Sequence, residues 1–260
     1  MNILVFVKRV PDTESKIRVN QETKSVIEEG LNFIISPYDE YAVEEALRLR
    51  EAKGGQVTAV SVGNNESITI LKKCLAMGAD EAALLKDDTP EAYDGLRVAK
   101  IIARAVEKKF SGFDLILFGK QSVGSDNAQL PSMVAEMLGL PQATVVTKLE
   151  IDGSQGTALR EIEGGTEKVA FSLPAVVSAQ KGLNEPRYET LKGIMAAKKK
   201  VIPSTSLEEL GLTKEDVASH IEITKMEPPP VRQAGTIIQG MPEEAAKKLV
   251  ALLRQEAKVI

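Results

Sequence analysis

The stretch DLILFGKQSVGSDNAQLPSMVAEMLG, residues 114–139, decides the fold class of this chain. Residues 114–118 read as a buried strand, and a polar loop that contains Gly119 and Gly124 follows. Apolar side chains then recur at helical spacing, which predicts a helix over 126–139. They are Leu130, Met133, Val134, Met137 and Leu138. A strand, a glycine loop and an amphipathic helix in this order are typical of one step of a parallel sheet with crossover helices.

The N-terminal side of this stretch repeats the same alternation. Continuous apolar runs predict strands at 2–7, 57–62 and 82–85. Such runs suit a parallel sheet that is covered on both faces. Helical patterns lie between them, near 38–52, 66–77 and 91–109. The sequence therefore predicts an α/β fold with a doubly wound, mostly parallel sheet.

The pattern changes beyond Pro141. Short β-rich segments are separated by turn residues, which favours hairpins and hence antiparallel additions to the sheet. These segments are 143–149, 157–162, 167–173 and 175–179. From residue 201 onward prolines and glycine interrupt the chain, and helices are predicted only at 206–210, 213–217 and 242–257. We expect 1–200 to form one domain and 201–260 to form a C-terminal arm that wraps a partner subunit, with a loosely docked linker and helix as the alternative.

Composition excludes several kinds of chemistry. The chain has 43% hydrophobic and 27% charged residues and a net charge of −4, so nothing indicates a nucleic-acid surface. One cysteine, Cys74, and one histidine, His220, exclude an internal disulfide and a Cys/His zinc or iron–sulfur centre. Any redox cofactor must then be organic. The apolar start at 3–7 is too short for a signal-peptide core or a membrane span, which predicts a cytoplasmic protein without membrane insertion.

Binding sites in doubly wound sheets lie at the carboxyl ends of the strands. Three segments are expected to meet there: VKRVPD (7–12), SPYD (36–39) and the loop 119–130. In the second, Ser36, Pro37 and Asp39 have the order of a capped helix start with a capping box. An adenine or a ribose could lie against this turn, beside the ring of Tyr38.

The loop GKQSVGSDNAQL, residues 119–130, has the features of a phosphate site. Gly119 and Gly124 permit close backbone approach, and a following helix offers N–H groups and a positive dipole end to an anion. Asp126 and Gln129 also have capping-box spacing, which by itself needs no ligand. The loop matches neither the Walker pattern nor G-x-G-x-x-G, so phosphoryl and hydride transfer lose support.

Residues 183–200, LNEPRYETLKGIMAAKKK, have the order of a docking segment. Isolated apolar anchors at Leu191 and Met195 stand between charged flanks, as in transient protein contacts where a few side chains supply most of the affinity. An ordinary solvated loop and helix is the alternative. The residues predicted to bind a partner are Arg187, Tyr188, Leu191, Met195, Lys198, Lys199 and Lys200.

Several motifs together resemble the beta subunit of electron-transferring flavoproteins. They are VKRVPD (7–12), SPYDEYAVEEALRLRE (36–51), CLAMGAD (74–80), GKQSVGSDNAQ (119–129), REIEGG (160–165), LPAVVSA (173–179) and the segment 183–200. The resemblance implies an adenine-nucleotide hydrolase-like fold and a heterodimer with an alpha subunit that shares FAD. It also implies bound AMP, electrons received from acyl-CoA or related dehydrogenases of fatty acid oxidation, and a downstream quinone oxidoreductase. Such a subunit is an electron carrier, not an enzyme.

The same resemblance implies individual site residues. The cofactor-binding set is Phe6, Ser36, Pro37, Tyr38, Asp39, Val62, Gly119, Lys120, Gln121, Ser122, Val123, Gly124, Ser125, Asp126, Asn127, Ala128, Gln129 and Leu130. Ala128 and Leu130 depart from many AMP-binding members, and the Ala128-Gln129 pair resembles electron-bifurcating members, in which a second FAD replaces AMP. AMP is favoured because the segment 183–200 resembles the non-bifurcating type.

The sequence allows two interpretations of Glu161. Glu161 and Glu163 are expected on one face of a strand, where solvated edge charges are the default. The resemblance implies instead that Glu161 forms an inter-subunit ion pair that opens when the flavin domain swings, which makes it a conformational latch. No catalytic residue and no metal ligand are predicted. Two other functional classes remain open, namely a nucleotide-binding sensor without redox chemistry and an adenylating enzyme.

Overall fold

A computed structural model describes residues 1–89, 94–230 and 234–260. The strands are β1 (Asn2–Phe6), β2 (Arg9–Pro11), β3 (Val19–Asn20), β4 (Ser25–Val26), β5 (Phe33–Ile35), β6 (Gln56–Gly63), β7 (Glu81–Lys86), β8 (Leu115–Gly119), β9 (Gln142–Asp152), β10 (Gln155–Ile162), β11 (Gly165–Ser172), β12 (Ala175–Ala179) and β13 (Ser204–Ser206). The helices are α1 (Pro37–Lys53), α2 (Ile68–Met77), α3 (Gly95–Lys109), α4 (Leu130–Leu138), α5 (Leu191–Lys199) and α6 (Pro242–Gln255), with a 3-10 turn at Asn65–Ser67.

Nine strands form one sheet in the order β11-β10-β9-β12-β8-β1-β6-β7-β13. Along this order, each neighbouring pair from β9–β12 to β7–β13 is parallel, whereas the pairs β9–β10 and β10–β11 are antiparallel. From β1 the chain winds first to β6 and β7 and then, in the other direction, to β8 and β12. The predicted doubly wound sheet with antiparallel additions is therefore confirmed, and its topological switch point lies between β1 and β8.

Helices cover both faces of the sheet because the central strands are apolar on both sides. Ile3 and Val5 pack with α1, α2 and α5 in one core, whereas Leu4 and Phe6 pack with α3 and α4 in the other. Alternate residues of one strand thus point to opposite faces. Within the described ranges, no helix is long and apolar enough to cross a membrane.

The hairpin prediction is wrong for residues 175–179. This strand, β12, lies in the sheet between β8 and β9 and is parallel to both. All five of its residues are buried. Burial on both faces is what an inner parallel strand requires, and the apolar composition AVVSA meets that requirement better than the alternation of an edge hairpin.

Helix bounds differ from the prediction in three places. Helix α4 begins at Leu130 and not at 126, because Asp126 and Ala128 have φ angles of 46° and 50°, which a right-handed helix does not accept. The segments 206–210 and 213–217 form hydrogen-bonded turns, with β13 at the start of the first, and not helices. Helix α3 begins at Gly95, and 91–93 of the predicted 91–109 lie outside the described residues.

The first part of the predicted arm packs on the sheet and its helices. Strand β13 pairs with β7, and Leu210 and Val217 are fully buried against the α3 face. Helix α6 confirms the predicted C-terminal helix and has no buried residue. Its Leu249 and Val250 are exposed to 47% and 46%.

Candidate functional site

Asp39 joins the two strands that flank the switch point. One carboxylate oxygen accepts the backbone N–H of Lys8 at 2.8 Å, and the other accepts that of Gly119 at 3.0 Å. Lys8 follows β1 and Gly119 ends β8, so a side chain on the first turn of α1 fixes both strand ends. Burial raises the pKa of Asp39 to about 7, although the two N–H donors and the Lys8 charge favour the ionised carboxylate.

The predicted capping box at Ser36 and Asp39 is therefore wrong. The Ser36 hydroxyl makes no cap hydrogen bond, and it is buried with no hydrogen-bond partner among the described residues. The Asp39 carboxylate points to the strand ends instead of the helix start. Pro37 does occupy the first turn of α1, as the sequence predicts. The spacing is right for a cap, but the switch point uses the carboxylate for a long-range contact.

A cleft opens at this carboxyl edge. Its lining residues are Phe6, Val7, Lys8, Asp39, Val62, Gly63, Asp87, Gly95, Val98, Ile102, Phe118, Gly119, Lys120, Gln121, Ser122, Ser125, Asn127, Ala128, Gln129, Leu130 and Pro131. The cleft is open to solvent on one side. The rings of Phe6 and Phe118 stack 5.0 Å apart at 12° on its wall. We call it the nucleotide cleft, after the ligand that the sequence resemblance implies for it.

The structure brings most of the predicted cofactor residues to the nucleotide cleft. Twelve of the eighteen line it: Phe6, Asp39, Val62, Gly119, Lys120, Gln121, Ser122, Ser125, Asn127, Ala128, Gln129 and Leu130. Val123 and Gly124 line a neighbouring cleft instead. Ser36, Pro37, Tyr38 and Asp126 are not among the lining residues of either cleft. The Tyr38 ring is close, with the Lys120 ammonium 5.2 Å from its centre.

The loop 119–130 is shaped by contacts with α1 and by contacts within itself. A Cβ on Gly119 would collide with Asp39 and with the Tyr38 backbone, so glycine is needed there for the close approach of α1. Gly124 has open space around it and a φ of +96°, so glycine is needed there for conformation. The Asp126 carboxylate accepts the Gln121 amide at 2.7 Å and Gln129 makes no side-chain cap, so the second predicted capping box is wrong too.

The neighbouring cleft is lined by Lys8, Arg9, Val10, Pro11, Asp12, Thr13, Ser15, Ile17, Val26, Glu28, Phe33, Val123, Gly124, Ser125 and Met226. Lys8 and Ser125 line both clefts. The Arg9 guanidinium lies 3.2 Å from the centre of the Phe33 ring and 3.2 Å from a Glu28 oxygen. The segment 7–12, a weak signal on its own, thus separates two clefts.

Sequence reasoning missed one group in the nucleotide cleft. Asp87, which follows β7, forms a buried ion pair with Arg97 at 2.9 Å. Arg97 also donates to the Val217 carbonyl, and the Asp94 carboxylate accepts the backbone N–H of His220 at 2.8 Å. The position of Asp87 after a predicted strand could have indicated its place in the cleft. Nothing local indicates that 217–220 dock against the same end of α3.

The docking segment is held at several points. Arg187 donates to Glu44 at 2.8 and 3.0 Å and to Glu51 at 2.5 Å, both on α1. These contacts hold the pKa of Arg187 above its usual range. Lys200 donates to the Asp80 carbonyl, and a Cβ on Gly193 would collide with the Ala76 carbonyl oxygen. The segment therefore lies fixed against α1 and α2.

The apolar anchors of this segment point outward. Leu191 is 83% exposed and Met195 is 67% exposed, beside Tyr188 at 92%. Lys198 and Lys199 end the same helix, α5, and Lys200 is its C-cap. Within the described part of the chain, Arg187 is the one predicted contact residue whose charged group is engaged by two carboxylates.

Glu161 lies near the end of β10, and its carboxylate accepts the Gln180 amide at 2.9 Å. Gln180 follows β12. Glu163 lies in the turn after β10, so the two carboxylates do not share a strand face. The prediction that both carboxylates lie on one strand is therefore correct for Glu161 and wrong for Glu163.

The sheet and the cleft at its switch point are those of a doubly wound α/β protein. The Electron transfer flavoprotein domain family matches residues 23–210. Electron transfer flavoprotein subunit beta of Bacillus subtilis (strain 168) is 44% identical over 261 residues, covering 100% of both chains. The protein of that name from Bradyrhizobium diazoefficiens is 39% identical with the same coverage, and that from Sus scrofa is 38% identical over 100% of this chain and 99% of its own.

The chain therefore belongs to the electron transfer flavoprotein family, among its beta subunits. The resemblance drawn from the motifs is confirmed. The family implies a flavin-dependent role in electron transfer.

Proposed function

We propose that this chain is one half of a heterodimeric electron carrier. It shares FAD with an alpha subunit, accepts electrons from acyl-CoA or related dehydrogenases and passes them to a downstream quinone oxidoreductase in fatty acid oxidation. The observation that carries the proposal is the pair of exposed apolar side chains, Leu191 and Met195, on a fixed helix with a basic end. The cytoplasm is the proposed location.

Docking follows from the physics of transient contacts. Leu191 would enter an apolar pocket on the dehydrogenase and supply most of the affinity, because a few desolvated side chains dominate such interfaces. Lys198 and Lys199 would raise the association rate through long-range attraction to an acidic partner. The flavin domain of the alpha subunit then remains free to sample orientations, and electron transfer occurs from the close ones. No residue of this chain transforms a substrate.

We assign AMP to the nucleotide cleft. The stacked Phe6 and Phe118 rings and Val62 offer an apolar wall to a planar base, and hydroxyls and amides of the loop 119–130 offer hydrogen bonds. A nucleotide supplies a phosphate charge when bound, and this chain's residues bind and orient it. The donor set fits such a group because it combines lysines, hydroxyls and backbone N–H groups at one edge.

A second candidate is an electron-bifurcating subunit that holds FAD in place of AMP. Two observations favour it, the Ala128-Gln129 pair and the meeting of two clefts at Lys8 and Ser125, which gives a longer ligand a path. A non-redox nucleotide sensor would leave the exposed anchors of α5 without a role. AMP remains the assignment that we favour, since the segment 183–200 resembles the non-bifurcating type.

We further propose that residues 201–260 contact the alpha subunit. Residues 204–220 pack on the sheet and α3, whereas no residue of α6 is fully buried against the described part of this chain. An amphipathic helix with exposed Leu249 and Val250 suits a second polypeptide.

Glu161→Ala is expected to keep FAD bound and to shift the orientations of the flavin domain. The carboxylate is exposed near a strand end and touches Gln180, so its removal costs the fold little. The measurement is small-angle scattering of the free heterodimer, which reports domain opening. Glu163→Ala, in the adjacent turn, is the matched control and should scatter like wild type. Loss of flavin in the Glu161 variant would mean that the residue supports cofactor binding, and the latch would be abandoned.

The proposed function is tested with the heterodimer obtained by co-expression with the alpha subunit. An acyl-CoA dehydrogenase and its substrate should reduce the bound flavin in a few turnovers. If dithionite reduces the flavin and no acyl-CoA dehydrogenase does, the result would contradict the proposed electron donors.

A further inference from the structure

Lys8 occupies the wall between the two clefts. It lies two residues after the end of β1, and its backbone N–H donates to Asp39 at 2.8 Å. The side chain lines both the nucleotide cleft and the neighbouring one. Its ammonium therefore lies where β1, β8 and the loop 119–130 converge. Lys8 is not in the cofactor-binding set that the family resemblance implies.

The Lys8 ammonium has little to offset its charge. Its hydrogen-bond partner is the Ser122 hydroxyl at 3.4 Å, and within the described ranges it forms no ion pair. Burial lowers the pKa of Lys8, and the Asp39 charge opposes this only in part. Removing an ammonium from water costs several kcal/mol unless a counter-charge is near. A lysine kept for stability alone would be expected to meet a carboxylate.

The carboxylates around the clefts already have partners within this chain. Asp39 accepts two backbone N–H groups, Asp87 is paired with Arg97, and Asp12 accepts the backbone N–H of Glu14. Arg9 contacts both Glu28 and the Phe33 ring. The Asp39 charge balances Lys8 only in part, and a bound anion would supply the rest.

We propose that the Lys8 ammonium, together with the Ser122 hydroxyl, binds the phosphate of the adenine nucleotide at the boundary between the two clefts. This inference rests on the proposed nucleotide site and deepens it. A charge-assisted contact makes the site select nucleotides over nucleosides, since a nucleoside leaves the ammonium without a counter-charge. The phosphate of AMP and the adenosine-side phosphate of FAD present the same negatively charged oxygens to Lys8.

The test is calorimetric titration of the full chain after its nucleotide is removed, with AMP, adenosine and FAD as separate ligands. Lys8→Met keeps the length of the side chain and removes its charge. Affinity for AMP should fall about tenfold to hundredfold, as expected for one charge-assisted hydrogen bond, while affinity for adenosine stays within about twofold. Lys181→Met, at an exposed lysine, is the matched control and should leave both affinities unchanged.

Thermal melting of the ligand-free variant separates binding from folding. Loss of a half-buried charge that forms no ion pair within the described residues should leave the melting temperature unchanged or raise it. An unchanged AMP affinity, or an equal loss for AMP and adenosine, would overturn the role of Lys8. A wild-type chain that binds none of the three ligands would overturn the nucleotide site itself. A different outcome is that FAD binds wild type more tightly than AMP and loses the same factor of affinity as AMP in Lys8→Met. In that case the phosphate contact is supported, and the bound phosphate belongs to FAD.

Discussion

Leu191→Ala is expected to abolish most dehydrogenase-dependent electron transfer while leaving the melting temperature nearly unchanged. Leu191 is 83% exposed, so its removal exposes no core and leaves no cavity in the free protein. Loss of an anchor at the centre of an interface costs about 2 kcal/mol or more, roughly thirtyfold in affinity. The measurement is steady-state reduction of the heterodimer by an acyl-CoA dehydrogenase below saturation.

Two controls make the Leu191 result specific. Dithionite should reduce the flavin of the variant at the wild-type rate, because that reaction needs no docking. Ile221→Ala removes another exposed apolar side chain, 58% exposed, from the segment that docks beside α3 on the opposite face of the sheet. It should retain full activity. Normal activity of Leu191→Ala with the dehydrogenase would remove the docking segment from the account.

Gly119→Ala is expected to lower the free energy of unfolding by about 3 kcal/mol and to eliminate nucleotide binding. A Cβ at this position would collide with an Asp39 carboxylate oxygen and would lie 2.5 Å from the Tyr38 carbonyl carbon. Neither neighbour can withdraw easily, because Asp39 fixes the ends of β1 and β8. Chemical denaturation and analysis of the co-purified nucleotide measure the two effects.

Gly124→Ala is the matched control in the same loop. Its Cβ would meet no atom within 4 Å, and the cost is the φ of +96°, about 1–2 kcal/mol for a residue with a side chain. Its effect on stability should therefore be clearly smaller than that of Gly119→Ala. Equal losses in the two variants would contradict the assignment of Gly119 to the close contact at the switch point.

Local patterns in the sequence predicted the fold class because apolar periodicity reports burial. Strands β1, β6, β7 and β8, helices α1 to α4 and the C-terminal helix α6 all follow from runs of the kind seen at 114–139. Strand β12 was misplaced because Pro174 reads as a turn signal, whereas the pairing of β12 with β8 depends on residues about sixty positions away. Periodicity identifies a strand and does not identify its neighbour.

Side-chain roles were harder to predict where partners are distant in sequence. Asp39 has the spacing of a helix cap, yet its partners are the N–H groups of Lys8 and Gly119, 31 and 80 residues away. The sequence predicts Arg187 as a partner contact because it lies beside Tyr188. In the structure its guanidinium donates to Glu44 and Glu51, which are more than 130 residues away in the chain. Local spacing carries no information about such contacts.

The cleft itself was predictable to the extent that strand ends define it. The rule that ligands bind at the carboxyl ends of parallel strands brought 7–12, 36–39 and 119–130 together, and all three contribute to the two clefts. Which of two adjacent clefts each residue lines depends on the backbone of the loop, where Gly124 and Asp126 have positive φ angles. That conformation is not encoded in any periodic pattern.

The nucleotide content of the purified heterodimer tests the central claim most directly. After denaturation, the released molecules are separated by chromatography and counted against protein. One FAD and one AMP for each heterodimer is the result that we expect for a non-bifurcating electron carrier whose beta subunit holds AMP at the switch-point cleft. Two FAD would contradict the AMP assignment in favour of a bifurcating subunit, and one FAD with no second nucleotide would contradict the nucleotide cleft.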